Sequence, residues 1–334
     1  MAFPGLSLAL LDAIEEPALV VEGERVAAAN APARALLGER IVGRDIRFVL
    51  RHPDALDVIL PGLGGERELS SLGGREQPWT ILVRPLSGGV QLVRLVDRSA
   101  AYAAERMRVD FVANASHELR TPLTTMIGYA ETLAEPGPIE DELRAHFGET
   151  IHGEARRMLR IIEDLMSLSR IEADRFVAPS ERVSIDEIAR IAAENSGLLA
   201  RRSGCTIALD LAPAGPIAGD FGQLLQLADN LVGNALRYGC TGKDATVTIR
   251  TAIEGSRAVL RVIDQGDGIP PDHLTRVTER FYRVDTARSR DSGGTGLGLS
   301  IVKHIAERHR ATLDITSVVG RGTEVTVAFP LLPG

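Results

Sequence analysis

The sequence predicts a multidomain α+β protein, in which a small α+β unit is followed by a long helical hairpin and then by an α/β sandwich. Three observations support this prediction. Short strand-like runs separated by turn residues occupy residues 7–97. Two long segments with apolar residues at steps of three and four fill residues 98–173. From residue 181 to residue 331, helical and strand-like patterns alternate.

Composition narrows the class of protein. The 334 residues are 44% hydrophobic and 25% charged, which is typical of globular domains. A net charge of -7 without any Lys/Arg block argues against nucleic acid as a partner. No window reaches the roughly 18 apolar residues of a membrane span, so we expect a cytoplasmic chain, or a membrane-associated one if the parent protein is longer. Cys205 and Cys240 lack metal-ligand spacing and are expected to be free thiols in a reducing compartment.

The first unit is predicted to contain strands, then helices, then strands. Residues 18–29 form two apolar runs on either side of a Glu-Gly-Glu turn. Asn30 is a helix N-cap and Gly38 a stop signal, which places a helix between them. Residues 79–83 and 90–96 are two later strands joined by a turn with Pro and Gly.

A long amphipathic helix is predicted around His117. Good helix formers without a breaker run from Ser99 to Met107 and lead directly into it. Its apolar positions form one stripe, which consists of Val112, Ser116, Leu119, Leu123, Ile127, Ala130 and Leu133. Because His117 lies off this stripe, its imidazole is available to react.

A second long helix follows the turn signal Glu135-Pro-Gly-Pro138. Its apolar stripe consists of Leu143, Phe147, Ile151, Met158, Ile162, Leu165 and Leu168. Two long helices with a short connection form an antiparallel hairpin, which cannot bury both stripes by itself. We therefore predict a homodimer in which two hairpins form a four-helix bundle. An intrachain bundle is the alternative, although no second pair of comparable helices follows.

Residues 174–183 are predicted to be a linker, after which a larger α/β unit begins. Helices are expected at residues 185–200, 222–238 and 298–309. Strands are expected at residues 206–211, 246–250, 258–263, 312–316 and 323–329. This order predicts a mixed sheet with helices on one face.

A pair of asparagines is the first motif with chemical meaning. Asn230 and Asn234 are one helical turn apart and share a face. Asn is unfavourable in a helix interior, and its amide oxygen suits Mg2+, which also takes phosphate oxygens and waters. The pair is a candidate metal site, and the alternative is a capped or solvent-facing pair.

Two glycine-containing motifs follow. Asp264 ends a strand and precedes Gly266 and Gly268, so its carboxylate could accept a hydrogen bond from an exocyclic amine; an acidic turn is the alternative. Gly294, Gly296 and Gly298 lead into a helix, an arrangement that binds anions.

Neither known glycine fingerprint fits the second motif. It lacks the Gly-Lys-Ser/Thr of a P-loop, and Leu299 stands where a dinucleotide fingerprint has its last Gly. Residues 285–292 before it are polar and are predicted to form a mobile lid. Residues 320–323 predict a hairpin turn.

The order and spacing of these motifs resemble the sensor histidine kinases of two-component signalling. The matching run covers about residues 105–331 and reads His117-Glu118-Leu-Arg-Thr121-Pro122, the Asn pair, Asp-x-Gly-x-Gly, Glu279-Arg-Phe-Tyr-Arg283, Gly-Thr-Gly-Leu-Gly and Gly-x-Gly-Thr. The first unit resembles a PAS sensor domain, and the spacing of this PAS-like part resembles that of the phosphate-regulon sensor kinases. The resemblance implies a HisKA hairpin and a GHKL-type (Bergerat) ATP-binding domain.

The resemblance implies ATP and Mg2+ as the bound groups. Asp264 would hold the adenine amine, Asn234 with Asn230 would sit at Mg2+, and Gly266 and Gly268 would leave room for the base. The implied nucleotide-binding residues are Asn230, Asn234, Arg237, Tyr238, Asp264, Gly266, Gly268, Gly294, Thr295, Gly296, Leu297, Gly298 and Thr323.

The same resemblance implies the chemistry at His117. A ring nitrogen of His117 would accept a phosphoryl group from ATP, with Glu118 as general base, and an Asp in the receiver domain of a response regulator would then take it. Thr121 would position water to dephosphorylate that regulator, and Pro122 would let the helix bend. Two alternatives are a GHKL ATPase without kinase activity, which would lack the His117-Glu118 hairpin, and a dimeric scaffold that only binds ATP.

Overall fold

The computed structural model describes residues 5–72, 76–174, 177–240, 245–284 and 294–332. The chain divides into two compact units, Met1–Val112 and Ala113–Gly334.

The first unit is built on a five-stranded antiparallel sheet of order β2-β1-β5-β4-β3. Its strands are β1 (Ala18–Glu22), β2 (Arg25–Ala29), β3 (Gly65–Leu69), β4 (Trp79–Pro85) and β5 (Val90–Asp97). Its helices are α1 (Gly5–Asp12), α2 (Ala31–Leu37), α3 (Ile46–Leu50) and α4 (Pro53–Ile59). The predicted strands and the helix after Asn30 are confirmed, whereas α3, α4 and β3 gave no recognisable pattern in the sequence.

Asn30 fixes the start of this unit. Its side chain is fully buried and caps α2, since Oδ1 accepts from the backbone N–H of Ala33 at 3.0 Å. The same oxygen accepts from Ala18 at 2.9 Å. The amide nitrogen donates to the carbonyls of Ile14 and Glu16 at 2.9 and 2.8 Å. One buried carboxamide thus satisfies backbone groups from three segments.

The second unit joins a helical hairpin to an α/β sandwich. The hairpin consists of α5 (Ser99–Ala134), which begins before the boundary of the unit, and α6 (Asp141–Ala173). The further helices are α7 (Ile185–Ser203), α8 (Phe221–Tyr238), α9 (Pro271–Leu274) and α10 (Gly298–Arg308). The strands are β6 (Glu181–Ser184), β7 (Thr206–Leu211), β8 (Pro216–Gly219), β9 (Thr246–Glu254), β10 (Arg257–Ile263), β11 (Thr312–Val318) and β12 (Gly322–Pro330).

The sheet of the sandwich is mixed, as predicted. Its order is β11-β12-β10-β9-β7, with β7 and β9 parallel and the other pairs antiparallel. Strands β6 and β8 form a separate antiparallel pair that the sequence did not reveal. Helix α8 packs against both α7 and α10, and the three helices cover the sheet. The predicted fold class, a helical hairpin followed by an α/β sandwich, is confirmed.

The hairpin leaves much of its apolar surface open. Pro122 is the only buried residue of α5, and Leu123 and Ile127 on the predicted stripe are 45% and 48% exposed. In α6, Phe147 and Leu168 are buried, but Ile162 on the same stripe is 40% exposed. Among the described residues, no helix combines the length and the apolar content needed to cross a bilayer.

The two cysteines are bonded to each other. Cys205, just after α7, and Cys240, just after α8, form a disulfide with a Cα–Cα distance of 6.0 Å. The expectation of two free thiols was therefore wrong. Sequence separation gave no indication of the pairing, because α7 and α8 bring the two positions together only by packing side by side.

Candidate functional site

A cavity of about 370 Å³ lies in the second unit, among α8, the start of α10 and the end of β10. Most of the residues predicted to bind a nucleotide line it: Asn230, Asn234, Arg237, Tyr238, Asp264, Gly268, Gly294, Thr295, Gly296, Gly298 and Thr323. Gly266 and Leu297 do not line it. Both are buried, so their role is in packing around the cavity.

Helix α8 carries the asparagine pair because its other face is held in the core. Leu224, Leu227 and Leu231 are nearly fully buried. Asp220 caps the helix by accepting from the N–H of Gln223 at 3.1 Å. The face with Asn230 and Asn234 is thereby turned towards the cavity.

His309 ties the end of α10 to the start of α8. Its Nε2 accepts from the backbone N–H of Asp220 at 3.0 Å, and its Nδ1 lies 2.8 Å from the carbonyl of Ile305. Burial lowers the pKa of His309, which keeps Nε2 free to accept. An ion pair between Arg308 and Asp220 at 3.3 Å reinforces the junction. The two helices that border the cavity are therefore fixed relative to each other.

Asp264 presents a half-buried carboxylate to the cavity. Its Oδ1 accepts from the backbone N–H groups of Gly266 at 2.9 Å and Thr323 at 3.2 Å. Burial raises the pKa of Asp264, while these two hydrogen bonds oppose the rise. Its Oδ2 has no hydrogen-bond partner among the residues that the structure describes. The side chain is thus fixed through one oxygen and can accept from a ligand through the other.

The glycines after Asp264 serve the packing of the backbone. A Cβ at Gly266 would lie 2.2 Å from the carbonyl oxygen of Tyr238, and one at Gly268 would lie 2.3 Å from that of Val318. This contact accounts for Gly266, which does not line the cavity, whereas the expectation that Gly268 leaves room for a bound base stays a prediction. Gly266 lets α8 and the turn after β10 touch, whereas Gly268 both packs and lines the cavity.

The second glycine motif brings a helix start against the asparagines. Gly296 has a φ of 74°, and its Cα lies against the backbone of Phe281. A Cβ at Gly298 would lie 3.2 Å from Oδ1 of Asn230. Leu297 is fully buried below them and anchors the turn. The amide groups of α8 and the N-terminus of α10 therefore face the same space.

The asparagines have the chemistry of a ligand site. Nδ2 of Asn230 is buried without a hydrogen-bond partner in the described parts of the chain, and Oδ1 of Asn234 accepts only a long bond from Arg237, at 3.5 Å. Buried amides are normally satisfied, so a ligand at this point would complete them. In residues 5–72, 76–174, 177–240, 245–284 and 294–332, no cluster of three or more His, Cys, Asp or Glu forms a metal site.

His117 lies on the exposed side of α5. The side chain of its neighbour Glu118 is not directed to it, because Oε2 accepts from Arg157 and from Arg283, each at 3.0 Å. Arg283 also donates to the carbonyl of Gly294 at 2.7 Å. Thr121 donates to the carbonyl of His117 at 3.2 Å. Arg283 thus joins the helix of His117 to the edge of the cavity.

Helix α6 also reaches the cavity, which the sequence did not indicate. Arg160, Glu163 and Asp164 line it, and Asp164 accepts from the hydroxyl of Thr295 at 2.7 Å. Burial raises the pKa of Asp164, and its hydrogen bond with Thr295 opposes the rise. These residues lie on the polar side of an amphipathic helix, and residues on that side usually face solvent.

The lid predicted at residues 285–292 lies outside the described residues.

Two family models match the chain. Residues 107–174 match the His Kinase A (phospho-acceptor) domain. Residues 219–333 match the Histidine kinase-, DNA gyrase B-, and HSP90-like ATPase. The first match contains His117, Glu118 and Thr121, and the second contains every residue of the predicted nucleotide site.

Curated relatives agree with these matches. The chain is 42% identical to the phosphate regulon sensor protein PhoR of Pseudomonas aeruginosa, over 72% of this chain and 53% of the relative. It is 37% identical to the sensor-like histidine kinase SenX3 of Mycolicibacterium smegmatis, over 72% of this chain and 62% of the relative. The match thus spans only about half to three fifths of the length of these relatives.

A solved structure supports the fold. The histidine kinase AdeS of Acinetobacter baumannii superposes with a TM-score of 0.50, covering 65% of this chain and 98% of that chain at 20% identity.

Gly266→Ala should destabilise the second unit. The new methyl group would collide with the carbonyl of Tyr238, which costs about 1–3 kcal/mol in a well-packed interior. Gly197→Ala is the matched control, because nothing lies within 4 Å of a Cβ at that position in α7; it should stabilise by about 0.5–1 kcal/mol. Urea unfolding measures both changes, and equal midpoints for Gly266→Ala and the unchanged protein would contradict the packing role.

Proposed function

Because the chain belongs to the histidine kinase family through both of its matched domains, we propose that it is a sensor kinase that phosphorylates its own His117 with ATP. The phosphoryl group then passes to an Asp in the receiver domain of a response regulator. The observation that carries the proposal is the ion pair between Glu118, beside the histidine, and Arg283, which lines the cavity.

The proposal divides the chain into three domains. Residues 7–97 are a PAS-like sensor domain, residues 98–173 are the signalling helix and phosphoacceptor hairpin, and residues 181–331 bind ATP. Similarity to the phosphate regulon sensor protein of P. aeruginosa supports phosphate-starvation signalling as the subfamily.

ATP binds in the cavity with its adenine at Asp264. The free Oδ2 accepts from the exocyclic amine, while Oδ1 stays fixed by Gly266 and Thr323. Guanine presents a carbonyl at that position, which would leave the carboxylate unpaired and cost roughly 1–3 kcal/mol. The triphosphate extends towards Arg237 and the start of α10, where backbone N–H groups favour anions.

Mg2+ fits the residues at the same end of the cavity. Asn234 and Asn230 offer amide oxygens, and a Mg2+ site needs only one or two protein ligands beside phosphate oxygens and waters. When bound, Mg2+ supplies neutralisation of the charge on the phosphates. The buried Nδ2 of Asn230, which has no partner in the described parts of the chain, is a donor and would pair with a phosphate oxygen beside the metal, not with the metal itself.

Transfer to His117 is an in-line displacement. The lone pair of one ring nitrogen forms a bond to the γ-phosphorus as the bond from that phosphorus to the β,γ-bridging oxygen breaks, and ADP leaves. Glu118 takes the proton from the other ring nitrogen. Because Arg157 and Arg283 hold Oε2 of Glu118, this step requires the carboxylate to turn from them towards the imidazole.

Two further roles belong to the hairpin. Thr121 positions water for dephosphorylation of the regulator, which makes the enzyme a kinase and a phosphatase.

The exposed apolar side chains of the hairpin form the surface of a homodimer, since an exposed apolar patch of this kind is unusual on a monomer. They are Leu123, Ile127, Leu143, Leu159, Ile162 and Met166.

Labelling with γ-32P-ATP and Mg2+ tests the kinase activity. The unchanged protein should take up acid-labile label, and His117→Gln should take up none, because no other side chain replaces the imidazole. His152→Gln is the matched control, since His152 is also exposed on the hairpin. Undiminished label in His117→Gln would contradict the proposal, and release of phosphate without any labelling would favour the ATPase alternative.

Thr121→Ala should separate the two activities. Autophosphorylation should stay within about twofold, while dephosphorylation of the regulator should slow by about tenfold or more, as a water-positioning group is lost. Thr124→Ala is the control, because Thr124 makes the same kind of bond, to the carbonyl of Arg120 at 3.0 Å. Equal loss of both activities in Thr121→Ala would refute this division of roles.

A further inference from the structure

Arg160 is a residue of the phosphoacceptor hairpin that lines the cavity of the ATP-binding domain. It makes no hydrogen bond or ion pair with any residue in the described parts of the chain. The two other arginines of the lining have partners: Arg237 donates to Asn234 and Arg283 to Glu118. Arg160 is thus a cation at the mouth of the cavity whose five donors are open.

The surroundings of Arg160 are positively charged. Partial burial lowers the pKa of its guanidinium, and the charges of Arg237, Arg156 and Arg157 lower it further, against the opposing effect of Asp164. A cation in such a position is stabilised by an anion that lies near several of these groups at once. A polyphosphate has the required charge and size.

The position of Arg160 relative to the cavity is fixed on both sides along α6. One turn before it, Arg157 binds Glu118 at 3.0 Å. One turn after it, Asp164 accepts from Thr295 at 2.7 Å, in the glycine motif next to the start of α10. Arg160 therefore lies beside the end of the cavity where the glycine motif, Arg237 and the asparagines meet.

We propose that Arg160 forms part of the nucleotide site and binds the terminal phosphates of ATP. The inference rests on the proposed function, because it takes the cavity as the ATP site. Arg160 is a binding and positioning residue contributed by the hairpin, so the two halves of the second unit share the nucleotide. Bound triphosphate holds α6 against the ATP-binding domain more firmly than a nucleotide with fewer phosphates does.

Calorimetric titration of the full chain, with Mg2+ present, tests this assignment. The probes are AMP, ADP and the β,γ-imido analogue of ATP, and the variant is Arg160→Gln. We expect affinity for the analogue to fall by about tenfold, affinity for ADP to fall less and affinity for AMP to stay within about twofold, as a charge-assisted bond to a phosphate is lost. The loss should shrink at high salt, which screens this exposed contact.

Arg156→Gln is the matched control. It removes the same charge from the same helix, but Arg156 does not line the cavity, so only a long-range effect of its charge remains and the three affinities should stay within about twofold. Unchanged binding of AMP by Arg160→Gln reports that the cavity is intact. Arg160→Lys should recover part of the affinity for the analogue, since it restores charge without the planar donors.

Two outcomes would overturn the inference alone: undiminished affinity of Arg160→Gln for the analogue, or an equal loss for AMP and the analogue. A wild-type chain that binds none of the three nucleotides would overturn the proposed function together with it.

Discussion

The carboxylate of Glu118 lies between two arginines, and much of the second unit depends on that contact. Arg157 comes from α6 of the hairpin and Arg283 from the segment before the glycine motif, and each donates to the same oxygen at 3.0 Å. The side chains of both arginines are less than a tenth exposed. Removing the acid would leave two guanidinium groups largely desolvated, which is costly when no other anion takes its place.

This contact places the acid that would activate His117 under the control of the nucleotide domain. Arg283 also donates a hydrogen bond to the carbonyl of Gly294 at 2.7 Å. A movement of the glycine motif would therefore shift Arg283, and with it the hydrogen bond from Arg283 to Glu118. The end of the cavity at Asp264 is more rigid. There Asp264 is fixed by two backbone N–H groups, and Gly266 lets two segments of backbone touch. Under the proposed function, one end of the cavity would recognise the base and the other would respond to phosphates.

Local patterns predicted most of the fold. The cap at Asn30 and the period of α5 and α6 are properties of neighbouring residues, and these elements appear where expected. Helices α3 and α4 and strands β3, β6 and β8 escaped prediction, although the predicted α2, β1 and β2 are comparably short. Strands β3 and β6 are mostly polar and lack the apolar run that identified β1 and β2.

The candidate site was predictable only in its motif residues. Partners of Glu118 and Thr295 lie 39, 165 and 131 positions away along the chain. Arg157 and Asp164 therefore carry no local pattern of their own, and Arg283 was noted only as the last residue of the Glu279–Arg283 motif. The glycines after Asp264 were identified, but only the structure shows that Gly266 is needed for a close contact between two segments of backbone. The pairing of Cys205 with Cys240 likewise follows from helix packing.

A double-mutant cycle between Glu118 and Arg283 tests most directly whether the hairpin and the nucleotide cavity are joined by this ion pair. Urea unfolding of the unchanged chain, Glu118→Gln, Arg283→Gln and the double variant, at one protein concentration, yields the coupling free energy. The account predicts favourable coupling of at least about 1 kcal/mol, as expected for a desolvated, directly bonded pair. Additive effects of the two substitutions, with no coupling, would contradict it.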